Sequence, residues 1–478
     1  MTTSIVKATI WSAFQRFGML VISFVSNIIL ARLLMPEDYG LVALITVFVG
    51  FADVLVDGGL GNALIQKKDI KEIDIKTVYT LNLLMSIILY GILFFSAPSI
   101  SRYCELPQLT ICLRVLAINI IIKGLYVVHF SLISRDLDFK RLSVITVFGQ
   151  GISTLIAILM AYSGYGVWSL IIRTVLQELI LLIFYYCNKG FVSIGFGKDS
   201  FRQLFAFGVF VAISSIIGNL YNSVLSFIIG KRYSVRELGY YNQAYGLQQV
   251  PVFSMSCVVN QVFFPFFSTM QDDIASIRRQ YFRSINIVTF FIYPILAYLV
   301  FFGHQIVVFL YTEKWLNSAL LFQILCLSGF FNVLMQISNS TIKALGRSRE
   351  YFYINVISIV CGLAITFLFI NYRIGFFVYS VVLTNILFYF VSGFYLSKYI
   401  DLNLFRQVIA FAPNMLISFV STAIVTWGGD YIKTENLFLE IIITFISSIG
   451  LYFIIHSALQ TSSFKEIRTL LNSKMHKN

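Results

Sequence analysis

The sequence predicts an all-α protein that crosses a membrane about fourteen times. Hydrophobic residues make up 58% of the 478 residues and charged residues only 12%, about half of the charged share that is usual for a soluble domain. The mean hydropathy is +0.84 over the whole chain. Apolar runs of about 20 residues, the length that crosses a bilayer as a helix, recur from one end to the other. A domain that works mainly in water is therefore excluded.

The predicted spans divide into a group of eight and a group of six along the chain. The first eight lie near 9–31, 39–60, 77–100, 109–133, 143–162, 166–187, 204–230 and 244–270. The other six lie near 284–302, 319–342, 351–371, 374–397, 407–427 and 437–458. The segments 188–203 and 303–318 are too short or too broken to cross, and we expect them to be interfacial.

The distribution of basic residues predicts the orientation of the chain. Of the 35 Lys and Arg residues, 23 lie in loops on the side of the N-terminus, 8 lie in the opposite loops, and 4 lie within spans. Such a bias predicts that both termini are cytoplasmic in a bacterial inner membrane. The net charge of +13 is thus an orientation signal, and no nucleic-acid partner is expected. Trp11, Trp168, Trp315 and Trp427 fall at span ends, where an indole favours the headgroup region.

An internal repeat predicts two related halves. The segment from Ala31 to Gly40 aligns without a gap onto the segment from Gly230 to Gly239, at an offset of 199 residues. The repeat predicts two six-span bundles in the same orientation, a known plan for transporters with the substrate near the midplane. The predicted parts are an N-terminal bundle, a cytoplasmic linker, a C-terminal bundle, two additional spans and a cytoplasmic amphipathic tail, at 1–187, 188–203, 204–398, 399–459 and 460–478.

The tail after the last span has the pattern of an amphipathic helix. Ser463 and Glu466 form an S-x-x-E capping box, and Phe464, Ile467 and Leu471 share one helical face. We expect this helix to lie on the inner leaflet.

Three segments resemble the bacterial polysaccharide (O-antigen type) flippases, a family within the multidrug/oligosaccharidyl-lipid/polysaccharide exporter superfamily. They are Ile28 to Gly40, Asp57 to Gln66, and Glu313 to Leu325. The resemblance implies a V-shaped pair of bundles around a central cavity. It also implies a substrate, an undecaprenyl-pyrophosphate-linked oligosaccharide, that moves from the cytoplasmic to the outer face by alternating access for polysaccharide export. Membrane lipids and polysaccharide assembly proteins would be the partners.

Charged residues inside predicted spans are costly, so each requires a reason. Four cations, Arg16, Arg114, Lys123 and Arg173, are the candidates for holding the pyrophosphate at successive depths. Spans 7–12 contain no charged residue in their cores and carry amides instead, and Asn219, Asn222 and Gln248 are the candidates for binding sugar hydroxyls. Three structural alternatives stay open. Arg16 forms an ion pair with Asp53 or Asp57, Arg114 reaches the membrane interface by snorkelling, or the amides only join helices to one another.

The sequence also limits the possible sources of energy for transport. The chain contains no G-x-x-x-x-G-K-[ST] motif, so ATP is not expected to drive transport. Asp53, Asp57, Glu178 and His129 are the candidates for coupling to a proton or sodium gradient. No cofactor, metal ligand or catalytic residue is predicted.

Two other functions fit parts of the pattern. An ion-coupled multidrug antiporter of the same fold would favour unpaired carboxylates, whereas the intramembrane cations outnumber the carboxylates. A membrane glycosyltransferase or polymerase would need catalytic groups on a sizeable outer loop, and the outer loops near 231–243 and 303–318 are short. The sequence therefore favours a transporter that is not an enzyme.

Overall fold

The computed structural model describes residues 2–57, 59–67, 69–136, 138–271, 273–428 and 436–475, and regular structure in these ranges is helical. The helices of the first half are α1 Thr2–Leu33, α2 Pro36–Asp57, α3 Leu60–Gln66, α4 Glu72–Cys104, α5 Leu109–Leu116, α6 Ile118–Arg135, α7 Phe139–Tyr162, α8 Val167–Lys189 and α9 Lys198–Arg232. Those of the second half are α10 Val235–Val258, α11 Phe264–Ser268, α12 Ile274–Phe301, α13 Gly303–Tyr311, α14 Leu316–Ala344, α15 Ser348–Phe369, α16 Ile374–Ile400, α17 Leu404–Trp427, α18 Leu437–Leu459 and α19 Ser462–Met475. A π-helical segment, Val259–Phe263, joins α10 to α11.

Thirteen helical segments in the described ranges are long and apolar enough to cross a membrane. Each coincides with a predicted span, and together they establish an all-α, multi-pass membrane protein. The predicted span 204–230 lies within α9, where the side chains of 206–217 are outside the described ones, so the fourteenth crossing stays a prediction. Large apolar side chains such as Phe95, Leu159 and Leu368 are exposed, as a surface that faces lipid tails requires.

The chain forms two compact units, Met1–Gly239 and Tyr240–Asn478. In the first unit α1 packs on α7, α7 on α8, and α6 on both α4 and α8, while α9 packs on α2 and α3. The non-helical part of the predicted linker is limited to 190–197. The backbone N–H groups of Gly195 and Gly197 donate to Thr80 and Thr77 of α4, so this segment is held against the first unit.

The second unit is built on the pairs α14–α16, α12–α17 and α12–α14. Its core contains Tyr281, Tyr293, Phe330 and Leu334, all fully buried. The Tyr281 hydroxyl lies 2.9 Å from the Ser338 hydroxyl and donates to Gln407 Oε1 at 3.1 Å. Polar groups that are buried among apolar helices are thus paired across helices, as membrane interiors demand.

Trp315 lies near the start of a span, as predicted, but its indole is not exposed. Its side chain is fully buried and packs beside the rings of Tyr240 and Tyr311. The reason is that the segment predicted to be interfacial forms α13 and a 3₁₀ turn, Glu313–Trp315, that pack against α14. The exposed Trp427 remains at a span end, as expected.

The tail forms the predicted helix, α19, but its apolar face contacts protein. Phe464 and Ile467 pack against Phe290, Ile417 and Tyr452 of the second unit. The predicted capping box was wrong, because Thr461 Oγ1 accepts from the Phe464 N–H and the Glu466 carboxylate accepts from Asn286 of α12.

Candidate functional site

The first unit holds an ion pair between two of its spans. Lys123 of α6 places its Nζ 2.6 Å from Oδ2 of Asp53 in α2, with the two side chains 30% and 25% exposed. The second oxygen, Asp53 Oδ1, is buried and has no hydrogen-bond partner among the described residues. The sequence-based alternative that paired Asp53 with Arg16 was therefore wrong, because α6, and not α1, supplies the cation.

A second polar pair lies next to the first. The Tyr126 hydroxyl donates to Glu178 Oε2 of α8 at 2.5 Å, and Lys123 and Asp53 both contribute to the electrostatic field at Glu178. Lys123 and Tyr126 are three residues apart on α6, so they lie on one face of that helix. Asp53, Lys123, Tyr126 and Glu178 are named here the charged cluster.

The charged cluster lies within the membrane-spanning segments, and it is partly accessible from outside the protein. Lys123 and Glu178 lie near the midpoints of their spans, and both side chains are only partly buried. Ionised groups at this depth are strongly disfavoured against lipid tails, so they face a bundle interior or a water-filled cavity. The geometry therefore indicates a polar surface on the first unit that water or a charged ligand reaches.

The other intramembrane arginines have different surroundings. Arg114 lies with its Cζ 4.1 Å from the centroid of the Phe94 ring, and its Nε donates to the Phe94 carbonyl oxygen at 3.2 Å. This cation–π contact and hydrogen bond attach α5 to α4. Arg173 of α8 is partly buried.

Two further candidates, Arg16 and His129, are not part of the charged cluster. Arg16 is exposed on α1, and the side chain of Asp57 lies outside the described ones. His129 is fully buried. Its Nε2 lies 2.9 Å from the carbonyl oxygen of Gly190, and its ring centroid lies 4.5 Å from that of Tyr186. These contacts assign His129 to the anchoring of the segment that follows α8.

The amide candidates also differ in accessibility. Asn219 and Asn222 are exposed on α9, which belongs to the first unit. Gln248 of α10 is 2% exposed, and its amide nitrogen lies against Gly329 of α14. In this structure Gln248 therefore joins two helices of the second unit.

A row of amides in the second unit is more accessible. Gln336 Nε2 donates to Asn332 Oδ1 at 2.6 Å, and Asn332 Nδ2 donates to Asn385 Oδ1 at 3.3 Å. All three side chains are partly buried. Beside them is a wholly apolar cavity of about 550 Å³ whose lining includes Phe331 and Ile386.

Sequence reasoning missed Tyr126 and Asn385. Tyr126 had a signal, since it lies three residues after the intramembrane Lys123 on the same helical face. Asn385 had no such signal, because its pairing with Asn332 depends on the packing of α16 against α14.

Within the described ranges, no group of three or more His, Cys, Asp or Glu side chains has the arrangement of a metal site.

Comparison with known proteins agrees with this architecture. The chain matches the profile of a family described as "Polysaccharide biosynthesis protein" over residues 29–320. It is 24% identical over 458 residues to an uncharacterized membrane protein in the cps region of Klebsiella pneumoniae, which covers 90% of this chain and 94% of that one. It is 25% identical over 355 residues to the teichuronic acid biosynthesis protein TuaB of Bacillus subtilis (strain 168), which covers 74% of each.

Solved structures of a flippase and of a drug transporter share the fold. The lipid II flippase MurJ superposes with a TM-score of 0.72 at 15% identity, over 95% of this chain and all of that one. A multidrug resistance MATE-family transporter of the MOP superfamily superposes with a TM-score of 0.64 at 14% identity, over 82% of this chain and 98% of that one. Flippases and drug transporters thus share this fold, and the fold alone does not choose between them.

A helical chain with thirteen candidate spans in its described ranges, and with charged groups inside them, is by class a multi-pass membrane protein. The family match covers more than half of the chain, which confirms the resemblance that the sequence predicted. The chain belongs to the polysaccharide biosynthesis protein family.

Proposed function

We propose that the chain is a flippase that moves an undecaprenyl-pyrophosphate-linked oligosaccharide from the cytoplasmic to the outer face of the bacterial inner membrane. The observation that carries the proposal is the charged cluster, in which Lys123 is partly accessible at mid-span and held by Asp53. The family and the names of its relatives, which include the teichuronic acid biosynthesis protein TuaB and the lipopolysaccharide biosynthesis protein WzxC of Escherichia coli (strain K12), support the substrate class.

Lys123 is proposed to bind the pyrophosphate by exchanging partners. A phosphate oxygen that reaches Nζ replaces the Asp53 carboxylate, so the loss of one charge-assisted hydrogen bond is offset by the formation of another. Arg173, on the neighbouring α8, supplies a second cation in the same unit, and Arg114 and Arg16 are proposed as more peripheral contacts. An exchange of this kind binds the anion without leaving it permanently trapped.

Exchange at Lys123 also suggests how an ion gradient is used. When the pyrophosphate takes Lys123, the Asp53 carboxylate loses its cation and its second oxygen remains buried. A proton or sodium ion then restores neutrality at Asp53 or at the neighbouring Glu178, because an unpaired carboxylate is costly at this depth. Asp53 and Glu178 are therefore the proposed coupling groups, and His129 is proposed to act structurally.

The sugar and the lipid need different surfaces. The partly buried row of Asn332, Gln336 and Asn385 offers neutral donors and acceptors for hydroxyl groups. The apolar cavity beside it accepts hydrocarbon and not sugar. Asn219 and Asn222 remain proposed sugar contacts, and Gln248 would contribute only if α10 moved away from Gly329.

Transport and not catalysis is the proposed activity. The charge bias of 23 inner to 8 outer basic residues supports cytoplasmic termini. Polysaccharide assembly proteins are the proposed protein partners. A drug antiporter, the other function known for this fold, is disfavoured because the accessible cation at Lys123 repels a cationic substrate.

Deletion of the gene tests the proposal. The lipid-linked oligosaccharides of the deletion strain are extracted, and their exposure on each face is measured with an impermeant reagent that labels the glycan in spheroplasts. We expect intact oligosaccharide units to accumulate on the cytoplasmic face. Incomplete units would indicate a glycosyltransferase, and intact units on the outer face would indicate a polymerase or ligase. Either result would refute the proposal.

A further inference from the structure

Three buried side-chain oxygens of the second unit have no hydrogen-bond donor among the described residues. They are Asn286 Oδ1 of α12, Asn414 Oδ1 of α17 and Glu466 Oε2 of α19. Asn286 is 6% exposed, and Asn414 is fully buried. A buried acceptor that is left unsatisfied is costly, and most such atoms in proteins are satisfied. Each of these oxygens therefore requires a group that the described residues do not supply.

Hydrogen bonds join the three residues into one network. Asn286 Nδ2 donates to Glu466 Oε1 at 3.2 Å. Asn414 Nδ2 donates to the Asn286 carbonyl oxygen at 3.3 Å and to Thr289 Oγ1 at 2.7 Å. Because both amide nitrogens are engaged, the orientation of each amide is fixed and its oxygen is left for another group. Asn286, Thr289, Asn414 and Glu466 are named here the oxygen cluster.

Apolar side chains cover the oxygen cluster where α19 lies on the second unit. Phe464 and Ile467, which flank Glu466 in α19, pack against a buried group that includes Phe290 and Tyr452. This cover limits the access of bulk water to the Glu466 carboxylate. An ionised carboxylate that is taken out of water needs a positive partner.

The surroundings of Glu466 supply too little positive charge for its carboxylate. Burial raises the pKa of Glu466 above its usual value, although the hydrogen bond from Asn286 and the positive charge of Arg283 on α12 act in the opposite direction. The Arg283 charge at this position is therefore too weak to offset the cost of burial. A proton or a metal cation would supply the missing charge.

The ligand set of the oxygen cluster is that of a hard metal cation. Such cations bind carboxylate and amide oxygens, and they do not require a thiolate or an imidazole. One carboxylate balances one positive charge, so the site suits a monovalent ion better than a divalent one. Water would donate hydrogen bonds to the two amide oxygens but would bring no charge to Glu466.

We propose that the oxygen cluster binds an alkali metal cation, which holds the tail helix α19 on α12 and α17. Asn286, Asn414 and Glu466 supply the ligand oxygens, and Thr289 orients the Asn414 amide. The oxygen cluster lies in the second unit, whereas the charged cluster lies in the first. The inference concerns the docking of the tail and goes beyond the proposed transport activity.

Protection of the tail from protease tests the cation site. The purified chain is held at neutral pH and constant ionic strength in sodium chloride, potassium chloride or choline chloride, and trypsin cuts within α19 and releases a C-terminal tag. We expect sodium or potassium to slow the cleavage and to raise Tm in a saturable manner, and choline to do neither. At a cation concentration ten times the dissociation constant, the cleavage should slow by about tenfold.

Two variants remove the response in different ways. Asn414→Ala deletes a ligand on α17 and should leave the tail equally open to trypsin in all three salts. Glu466→Gln removes the charge that the cation balances, so its tail should be protected in all three salts. The matched control is Gln407→Ala on α17, because the buried Gln407 oxygen accepts from Tyr281 and its nitrogen donates to the Gly393 carbonyl oxygen. This control should lower Tm and keep the response to the metal.

The outcomes separate a cation from water. Equal cleavage of the wild-type tail in all three salts would mean that water satisfies the oxygens, and it would overturn the cation site. A metal response that survives in both Asn414→Ala and Glu466→Gln would also overturn it, since the ion would then bind elsewhere. A wild-type response to one metal and not to the other supports the site and identifies its occupant. These measurements involve no lipid-linked oligosaccharide, so a negative result would leave the flippase proposal intact.

Discussion

Lys123 Nζ lies 2.6 Å from Asp53 Oδ2, and the two side chains join α6 to α2 inside the first unit while remaining partly accessible. A fully buried ion pair would serve packing, and a fully exposed one would contribute little. An intermediate position lets a second anion compete for the lysine. The relationship between these two residues is the basis of the transport mechanism proposed here.

A charge swap separates structure from transport at this pair. Lys123→Gln leaves Asp53 without its cation and is expected to lower both thermal stability and transport. Asp53→Lys combined with Lys123→Asp restores an ion pair and should recover stability, measured as Tm of the purified protein. Transport should stay at least about tenfold below wild type, a difference of about 1.4 kcal/mol, because the cation is now on the wrong helix.

One control variant accompanies that test. Lys140→Gln removes an exposed lysine of the same unit and should change neither measurement. Recovery of full transport by the swapped pair would mean that the ion pair is structural only.

The hydroxyl of Tyr126 provides a second test. Tyr126→Phe removes the donor to Glu178 and should lower the free energy of unfolding by about 1.5–3 kcal/mol, the usual value for a hydrogen bond to a charged group. The dependence of transport on the proton or sodium gradient should weaken at the same time, because the tyrosine hydroxyl no longer holds the Glu178 carboxylate in place.

Tyr186→Phe is the matched control for Tyr126→Phe. Its hydroxyl also makes interhelical hydrogen bonds, to Tyr79 and to the Leu125 carbonyl oxygen, but to no carboxylate. It should lower stability and leave the gradient dependence unchanged. If both variants alter gradient dependence equally, the Tyr126–Glu178 pair has no special part in coupling.

Gradient dependence itself is measured with ionophores. Collapse of the proton gradient, or of the sodium gradient, in energised vesicles should stop net transport by the wild type. Glu178→Gln should transport slowly with or without the gradient, because the neutral amide cannot exchange an ion. Wild-type transport that continues after both gradients are removed would exclude ion coupling.

The tail helix should respond to pH through Glu466. Burial raises the pKa of Glu466 above its usual value of 4.5, so docking of α19 favours the protonated carboxyl. The stabilisation is fully present below pH 4.5 and is lost as the pH rises through the raised pKa. Protease cleavage of the tail should therefore be slower toward pH 4.5, while Glu466→Gln should resist cleavage equally at all pH values.

Phe464→Ala is the comparison for the tail. It removes an apolar contact of α19 with the second unit and should increase cleavage at every pH. Cleavage of the wild-type tail that did not vary with pH would show that Glu466 does not control docking.

The spans were predictable from sequence because each depends on local composition. Apolar runs of sufficient length and alternating basic loops need no knowledge of neighbours, and all thirteen candidate spans of the described chain coincide with predicted ones. The repeat, in which Gly40 and Gly239 are counterparts, is visible in the sequence alone and stays a prediction.

Partners across helices were not predictable. Asp53 has Lys123 as its partner and not Arg16, because the choice depends on which non-adjacent spans pack together. Trp315 is buried for the same reason, since α13 folds back over α14 and covers it. Tyr126, an ordinary residue in an apolar span, becomes important only through the position of Glu178.

Reconstitution of the purified chain tests the flippase proposal most directly. Proteoliposomes carry an undecaprenyl-pyrophosphate-linked oligosaccharide in one leaflet, and an impermeant enzyme that modifies the glycan reports its arrival in the other. We predict arrival with the wild-type chain and with Lys140→Gln, and arrival at the rate of empty liposomes with Lys123→Gln. Wild-type vesicles that perform no better than empty liposomes, or that expel a cationic dye in place of the lipid, would contradict the account.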